Sequence, residues 1–231
     1  MPRRFNGWKI FLGRRSFGPT HEWQKRMVRY RRHGGIRDTL FHVEHPDVFT
    51  LGRDCPDVDT SRIKGIELVR INRGGNITYH GPGQLVVYPI FDLRRRGGDL
   101  HEFIQNLEVG IIRAFDTYGL KCRCNEGHTG VWVENRKIAS IGIAVTQWIS
   151  YHGAAVNLTT DLSKFAMINP CGLPPEVMTS AEKELGKKIS LEEFAEALSN
   201  VYEEVYDTRF YDVDLDELTE IIRLEEASQT L

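Results

Sequence analysis

The stretch from Arg73 to Gln84 combines residues suited to binding a small molecule. It reads Arg-Gly-Gly-Asn-Ile-Thr-Tyr-His-Gly-Pro-Gly-Gln, with four glycines and one proline among its twelve residues. Glycine lets the backbone approach a ligand closely, and a proline between two glycines fixes a rigid turn. Polar side chains surround this bare backbone, although a structural turn is the alternative. No Gly-Lys-Ser/Thr follows, so the stretch is not a Walker loop, and it does not open a helix as a dinucleotide fingerprint does.

Cys171 and Lys137 are candidates for covalent chemistry. Cys171 stands in an Asn-Pro-Cys-Gly turn, just before a stretch where a short helix could begin. A thiol near a helix N-terminus and a cation ionises more readily, and the thiolate is the nucleophile. Lys137 begins the second strand of a predicted hairpin, beside its turn. From the residues alone, an inert buried cysteine and a solvated lysine remain the alternatives.

A metal site is only weakly indicated by Cys122, Cys124 and His128. The Cys-x-Cys spacing and the missing second pair of ligands do not fit a structural zinc site. We therefore expect no metal ion.

The elements that position these residues follow from hydrophobic periodicity. Asp99 with Glu102 forms a capping box before an apolar stripe at helical spacing, and Ser190 with Glu193 opens a second such helix. A third helix is predicted at residues 20–34, strands at 38–44, 49–51, 67–71, 85–91 and 148–158, an edge strand at 8–12 and a hairpin at 130–145. Because strands and helices do not alternate strictly, we predict an α+β fold with a mainly antiparallel or mixed sheet packed by helices.

Composition and charge restrict the class of protein. The 231 residues carry 30 Lys and Arg against 32 Asp and Glu, a net charge of −2, and are 41% hydrophobic and 27% charged. These values are typical of a globular chain that forms a core without disulfides. No apolar run is long enough to span a bilayer, and the near-neutral charge argues against nucleic-acid or membrane-surface binding. Without a recognisable secretory signal, we expect the four cysteines to be reduced thiols in a soluble cytoplasmic protein.

Six blocks of the sequence resemble the lipoate-protein octanoyltransferases, which share a fold with the lipoate and biotin protein ligases. The blocks are His45–Arg53, Arg73–Gln84, Gly130–Val133, Lys137–Gly142, His152–Asn157 and Asn169–Gly172. They occur in order, so the resemblance covers most of the chain. It implies a single biotin/lipoate-ligase-like catalytic domain over residues 1–207, followed by an acidic C-terminal extension at 208–231.

The resemblance implies an acyltransferase. The family transfers an octanoyl group from the phosphopantetheine thioester of acyl carrier protein to a lysine of lipoyl domains, as in 2-oxoacid dehydrogenases and the glycine cleavage H protein. Cys171 matches the residue that becomes the octanoyl-thioester, and Lys137 matches the lysine that assists it. The donor is already activated, so no nucleotide, metal or other cofactor is expected. An ATP-dependent lipoate- or biotin-protein ligase and a catalytically dead acyl-binding module are the alternatives.

Substrate binding is implied for three segments that match the family. Their residues are Arg73, Gly74, Gly75, Asn76, Ile77, Thr78, Tyr79, His80, Ser140, Ile141, Gly142, Gly153, Ala154 and Ala155. Backbone N–H groups of these segments are expected to hold the thioester oxygen, and the strands at 85–90 and 141–145 to form apolar walls around the acyl chain.

The protein substrates implied by the resemblance are acidic. We therefore expect exposed arginines to steer them, and the candidates are Arg31, Arg32, Arg53 and Arg94 to Arg96. We expect a monomer, because no interface helix is evident in the sequence.

Overall fold

Ten strands are present in the part of the chain that the structure describes. The structure is a computed structural model, and it describes residues 4–56, 63, 65–168 and 174–228. The strands are β1 (Phe5–Arg14), β2 (Asp38–Glu44), β3 (Val48–Leu51), β4 (Glu67–Arg70), β5 (Ile77–His80), β6 (Gln84–Ile90), β7 (Val131–Val133), β8 (Arg136–Thr146), β9 (Ile149–Asn157) and β10 (Thr208–Asp212).

These strands form a large and a small sheet. Seven of the described strands make the large sheet, in the order β10-β1-β2-β6-β9-β8-β7, and the small sheet has the order β4-β3-β5. In the large sheet β1 runs parallel to both of its neighbours, whereas the other neighbouring pairs are antiparallel. The small sheet combines a parallel and an antiparallel pair. The predicted α+β class with a mixed sheet is confirmed.

Helices cover both faces of the large sheet. They are α1 (Phe17–Arg32), α2 (Leu100–Asp116), α3 (Ala181–Leu185), α4 (Leu191–Val205) and α5 (Leu215–Ser228), with 3-10 helices at Leu93–Arg96, Leu162–Met167 and Pro175–Val177. None of the described helices combines the length and the apolar character that crossing a membrane requires.

The first face of the large sheet is covered by α2 and α4. Asp99 caps α2 as predicted, because its side chain accepts hydrogen bonds from the backbone N–H groups of His101 and Glu102. The apolar stripe of α2 packs with α4 in one core cluster. Gly110 lets the two helices approach closely, since a Cβ there would lie 2.0 Å from the Tyr202 ring. Asp99 thus fixes the start of α2, and Gly110 allows α2 and α4 to pack closely.

The second face of the large sheet is covered by α1 and α5. Val86 of β6 belongs to the core cluster on this side, together with Met27 of α1 and Leu218 of α5. The next residue of β6, Val87, packs into the cluster on the first face. This alternation is what the two-residue period of a strand requires when both faces are covered.

Two predicted details near the start of the chain are wrong. Residues 8–12 are not an edge strand, because β10 pairs with β1 on the side opposite β2. The first helix begins at Phe17 rather than after Thr20, and the Thr20 hydroxyl donates to the Ser16 carbonyl oxygen inside the first turn. Pro19 is compatible with this earlier start because the first N–H groups of a helix need no partner within it.

Asp38 at the start of β2 holds two arginines in the interior. Its carboxylate accepts hydrogen bonds from Arg31 Nε at 2.6 Å and from Arg96 Nε at 3.0 Å. Both arginine side chains are less than a tenth exposed. The expectation that Arg31 and Arg96 steer acidic partners is therefore wrong, because their charges are paired and shielded from solvent.

The last described elements contribute to both the sheet and the core. β10 pairs in parallel with β1, and Leu218 and Ile222 of α5 are fully buried against the second face. Glu226 of α5 accepts a hydrogen bond from the Tyr30 hydroxyl of α1. The division of the chain after residue 207 stays a prediction, and the described segment that follows it supplies one strand and one helix to the fold.

Leu218→Ala is expected to lower the free energy of unfolding by about 3 kcal/mol, because it leaves a cavity in the second core cluster. Leu224→Ala is the matched control on the same helix, where the side chain is more than half exposed. It should change the free energy of unfolding by less than about 0.5 kcal/mol. Urea unfolding followed by circular dichroism measures both variants. Equal effects would contradict the packing of α5 on the sheet.

Candidate active site

A cleft of about 480 Å³, counting its opening to solvent, lies between the two sheets. Strands β6, β8 and β9 form one wall, and the segment from Ile71 to His80, which includes β5, forms the other. The lining residues are Phe17, Ile71, Arg73, Gly74, Gly75, Thr78, His80, Val86, Tyr88, Ser140, Ile141, Gly142, His152, Gly153, Ala154 and Ala155.

Eleven of the fourteen predicted substrate-binding residues line this cleft. They are Arg73, Gly74, Gly75, Thr78, His80, Ser140, Ile141, Gly142, Gly153, Ala154 and Ala155. Ile77 and Tyr79 instead belong to a separate core cluster, because neighbouring residues of β5 face opposite sides. Asn76 is also absent from the lining. The structure thus brings the three predicted segments together, while their substrate-binding roles stay predictions.

Small residues on two paired strands leave room for the cleft. Gly142 of β8 pairs with Gly153 of β9. A Cβ at Gly153 would lie 2.0 Å from the Val87 carbonyl oxygen, so no side chain fits there. A Cβ at Gly142 would lie 3.1 Å from the Gly74 carbonyl oxygen, so even a methyl group would narrow the cleft. Gly142 therefore limits the width of the cleft, and Gly153 lets β9 lie close against β6.

The glycine loop before β5 is fixed by hydrogen bonds of its own N–H groups. Gly74 N–H donates to the Ile143 carbonyl oxygen at 3.0 Å, and Gly75 N–H donates to Asp54 Oδ2 at 2.7 Å. Gly75 also has a φ of +82°, which favours glycine. The expectation that these N–H groups hold the thioester oxygen is wrong for Gly74 and Gly75, because both groups already donate within the protein.

Arg73 is buried and joins the cleft to the small sheet. Its Nη2 donates to the Thr50 carbonyl oxygen at 2.8 Å and to Thr50 Oγ1 at 3.0 Å. Its Nη1 donates to the Gly74 carbonyl oxygen at 3.0 Å. The guanidinium group therefore ties β3 to the glycine loop and places a positive charge beside the cleft.

Three buried histidines adjoin the cleft. The rings of His45 and His80 lie 5.4 and 6.3 Å from the ring of Phe17, and His152 occupies β9 with a φ of +55°. Burial lowers the pKa of His45 to about 4 and the pKa values of His80 and His152 to about 3. For His80 and His152, the charge of Arg73 acts in the same direction. All three imidazoles are therefore neutral at pH 7.

Lys137 is buried at the start of β8. Its Nζ lies 5.5 Å from the centre of the Trp132 ring on β7. Gly130 leaves space for the lysine, since a Cβ there would lie 2.6 Å from Lys137 Cε. Glu108 of α2 fixes Gly130 by accepting its N–H at 2.7 Å, and the Thr179 N–H donates to the Lys137 carbonyl oxygen at 3.0 Å. The lysine is thus held by contacts from three sides.

Cys171 lies outside the described residues, together with the rest of residues 169–173, so its role stays a prediction. Met178, seven residues after Cys171 in the sequence, forms a β-bridge with Lys137. The same strand, β8, carries Lys137 at its start and the cleft-lining residues Ser140 to Gly142 a few positions later. Strand β8 therefore carries both the predicted catalytic lysine and part of the lining of the cleft.

Cys122 and Cys124, which weakly indicated a metal site, interact with other groups in the structure. Burial raises the pKa of Cys122 to about 12, and Cys124 Sγ donates to Glu108 Oε2 at 3.6 Å. Among the residues that the structure describes, no group of three or more His, Cys, Asp or Glu side chains could hold a metal ion.

The cleft also has lining residues outside the predicted segments. Phe17 and Ile71 carry no local signal for such a role, since each reaches the cleft only through the packing of distant elements. Val86 and Tyr88 lie in the predicted apolar wall, and His152 belongs to one of the blocks that resemble the octanoyltransferases. For these three residues, membership of those segments was the feature of the sequence that could have indicated a place in the cleft.

Comparison with known proteins gives a match that covers most of the chain. Residues 19–203 match the family described as the lipoyl protein ligase A/B catalytic domain. An octanoyltransferase of Nitratidesulfovibrio vulgaris is 45% identical over 175 residues, which are 73% of this chain and 80% of that relative.

The chain belongs to the lipoyl protein ligase A/B catalytic domain family. The predicted resemblance to the octanoyltransferases is confirmed.

Solved structures share the fold of this family. A crystal structure of lipoate-protein ligase A bound with ATP has a TM-score of 0.74 at 18% identity, over 95% of this chain and 93% of that chain. Biotin protein ligase from Aquifex aeolicus has a TM-score of 0.51 at 12% identity, over 87% of this chain and 69% of that chain. At these identities the likeness establishes the fold alone. The predicted biotin/lipoate-ligase-like fold is confirmed.

Acid is expected to destabilise this family member through its buried histidines. In the unfolded chain their pKa values lie near 6.5, whereas His45, His80 and His152 stay neutral down to about pH 4 in the folded protein. The unfolded chain therefore binds more protons as the pH falls below about 6.5. Above that pH the neutral histidines make their full contribution to stability. Between pH 7 and pH 5, each of them lowers the free energy of unfolding by about 2 kcal/mol.

Urea unfolding at several pH values between 5 and 7 measures this loss. His152→Asn should make the free energy of unfolding less dependent on pH, and asparagine tolerates the positive φ at this position. His101→Asn, at an exposed position of α2, is the control and should leave the dependence as in the wild type. The same pH dependence in His152→Asn and the wild type would contradict the neutral state assigned to His152.

Proposed function

We propose that the protein transfers an octanoyl group from the phosphopantetheine thioester of an acyl carrier protein to a lysine of lipoyl domains. The proposed acceptors are the lipoyl domains of 2-oxoacid dehydrogenases and the glycine cleavage H protein, and the protein acts as a cytoplasmic monomer. It is an acyltransferase, as its octanoyltransferase relatives indicate. The observation that carries the proposal is the presence of buried Lys137 and a narrow glycine-lined cleft on one strand, β8.

The cleft offers the octanoyl chain an apolar environment. Phe17, Ile71, Val86 and Ile141 line it beside the small residues. At about 0.8 kcal/mol per buried CH₂, the seven carbons beyond the carbonyl stabilise the bound group by about 6 kcal/mol. Burial of the chain therefore supplies much of the affinity for the acyl group, and the carrier protein needs to contribute less.

In the first step, the Cys171 thiolate attacks the carbonyl carbon of the donor thioester. A carbon–sulfur bond to Cys171 forms, the bond to the pantetheine sulfur breaks, and the Lys137 ammonium gives its proton to the leaving thiolate. Before this step, the same ammonium favours the thiolate form of Cys171. The products are an octanoyl-thioester on Cys171, a neutral Lys137 amine and the carrier thiol.

In the second step, the amine of the acceptor lysine attacks the acyl-enzyme. A carbon–nitrogen bond forms, the bond to Cys171 breaks, and the neutral Lys137 amine accepts the proton that the attacking amine loses. The thiolate of Cys171 and the ammonium of Lys137 are thereby restored. The Trp132 ring near Lys137 Nζ supports the charged form at this stage. Neither step consumes ATP.

Mixing the protein with octanoyl-acyl carrier protein in the absence of ATP is expected to give an octanoyl adduct that hydroxylamine removes. Intact-mass spectrometry detects the adduct, and Cys171→Ser should not form it, because it lacks the sulfur nucleophile. An adduct that requires ATP would support a ligase instead, and no adduct under either condition would support an acyl-binding module.

Lys137 is tested in the same assay. Lys137→Ala should slow adduct formation by about 100-fold or more, since proton transfer by a positioned group contributes at least that much. Lys187→Ala, at an exposed position after α3, is the control and should react like the wild type. An unchanged rate in Lys137→Ala would remove this lysine from the proposed mechanism.

Gly142→Ala is expected to change the preference for acyl-chain length. The added methyl group approaches Gly74 and Arg73 across the cleft, at 3.1 and 3.2 Å. We expect kcat/KM for octanoyl donors to fall by about tenfold relative to butanoyl donors, because a longer chain needs the narrowed part of the cleft.

The control for this variant is Gly18→Ala, where a Cβ meets nothing within 4 Å. Steady-state kinetics with octanoyl- and butanoyl-acyl carrier protein give the two kcat/KM values. If Gly142→Ala and Gly18→Ala show the same octanoyl-to-butanoyl ratio, the acyl chain does not occupy this cleft.

A further inference from the structure

A chain of four hydrogen bonds runs through the interior from the cleft to Lys137. His80 Nδ1 lies 2.7 Å from Gln84 Oε1, and Gln84 Nε2 lies 2.9 Å from Asn157 Oδ1. Asn157 Nδ2 lies 3.0 Å from the Thr179 carbonyl oxygen, and the Thr179 N–H donates to the Lys137 carbonyl oxygen at 3.0 Å. Gln84 and Asn157 are almost completely buried, so water does not compete for these bonds.

The backbone fixes the direction of each bond in this chain. A carbonyl oxygen only accepts, so Asn157 presents its amide NH₂ to Thr179 and its Oδ1 to Gln84. Gln84 must then donate from Nε2, which also reaches the Tyr79 carbonyl oxygen at 3.1 Å. Its Oε1 is left to accept from His80. The Nδ1 atom of His80 therefore carries the proton.

His80 is consequently a neutral imidazole whose Nε2 atom has a lone pair. Burial lowers the pKa of His80 to about 3, and repulsion from His45, once it is protonated, and from the charge of Arg73 acts in the same direction. Among the described residues, no hydrogen bond is made to Nε2, and the residue lines the cleft. An acceptor on a residue that lines the cleft can take a hydrogen bond from a donor on the substrate.

We propose that Gln84 and Asn157 are positioning residues that hold His80 in the Nδ1–H tautomer, so that its Nε2 atom accepts a hydrogen bond from an N–H group of the substrate. The inference rests on the proposed function, whose substrates bring two such groups, an amide of the pantetheine arm and the amine of the acceptor lysine. The opposite tautomer would place an N–H against either of them.

Nitrogen-15 NMR of the histidine rings tests the tautomer directly. The His80 signals, assigned by their loss in His80→Asn, should show a protonated Nδ1 and a bare Nε2. They should stay unchanged from pH 7 to pH 5, because the titratable and charged groups nearest the ring are His45, His152 and Arg73, none of them acidic. An Nε2–H signal would overturn the proposal. This measurement needs no activity, so it is separate from the test of the proposed function.

Gln84→Glu tests the consequence for catalysis without changing the size of the side chain. A carboxylate against Nδ1 favours the imidazolium, which has no acceptor at Nε2. The variant should lose about tenfold or more in kcat/KM at pH 6 and recover as the pH rises. Gln105→Glu, exposed on α2, is the control and should match the wild type. A wild-type pH profile in Gln84→Glu would overturn the proposal.

Asn157→Asp breaks the chain of hydrogen bonds nearer to Lys137, because a carboxylate cannot donate to the Thr179 carbonyl oxygen. It should also lose about tenfold in kcat/KM, whereas Asn200→Asp, exposed on α4, should not. Full activity in Asn157→Asp would overturn its positioning role. Urea unfolding of each variant checks that the protein remains folded at the pH of the assay.

The two half-reactions identify the substrate group that donates to His80. Slower adduct formation from octanoyl-acyl carrier protein in Gln84→Glu indicates the pantetheine amide. Slower transfer from a preformed acyl-enzyme indicates the acceptor amine. If neither half-reaction slows, no substrate group donates to Nε2 and the proposal is wrong. If the wild type forms no adduct on Cys171, the proposed function fails while the NMR result stands.

Discussion

The cleft depends on the absence of side chains at two glycines where β8 and β9 pair. Gly142 and Gly153 are opposite each other in the register. A Cβ at Gly142 would meet the glycine loop across the cleft, whereas a Cβ at Gly153 would meet the neighbouring strand β6. Because Gly142 has no side chain, the glycine loop approaches β8 closely enough for the Gly74 N–H to donate to the Ile143 carbonyl oxygen. The places of Arg73 and of the loop before β5 follow from that approach.

The parts of the fold that could be predicted are those with a local signal. Asp99 caps α2 within its own first turn, and the stripe that follows repeats every three or four residues. The neighbours of β1 had no such signal, because β10 lies at the other end of the chain. The small sheet was equally hidden, since β3 pairs with β4 and β5 across intervening loops. Local chemistry indicates an element, whereas its neighbours depend on the packing of the whole chain.

The candidate site was predictable as a set of segments and less so as a set of side chains. A motif is contiguous, but a strand turns Thr78 and His80 to the cleft and Tyr79 away from it. Gln84 and Asn157 gain their connection only from the register of β6 with β9, which places them opposite each other. The sequence does not show which N–H groups already donate within the protein, so it could not exclude Gly74 and Gly75 as donors to a ligand.

The pairing of β10 with β1 has a consequence for biosynthesis. Phe5 pairs with Thr208, so one edge of β1 has no partner until Thr208 has left the ribosome. An uncovered strand edge is a template for association with other chains. During translation, this edge of β1 is therefore open to association with other chains until β10 has been made, whereas β2 can pair with β6 much earlier.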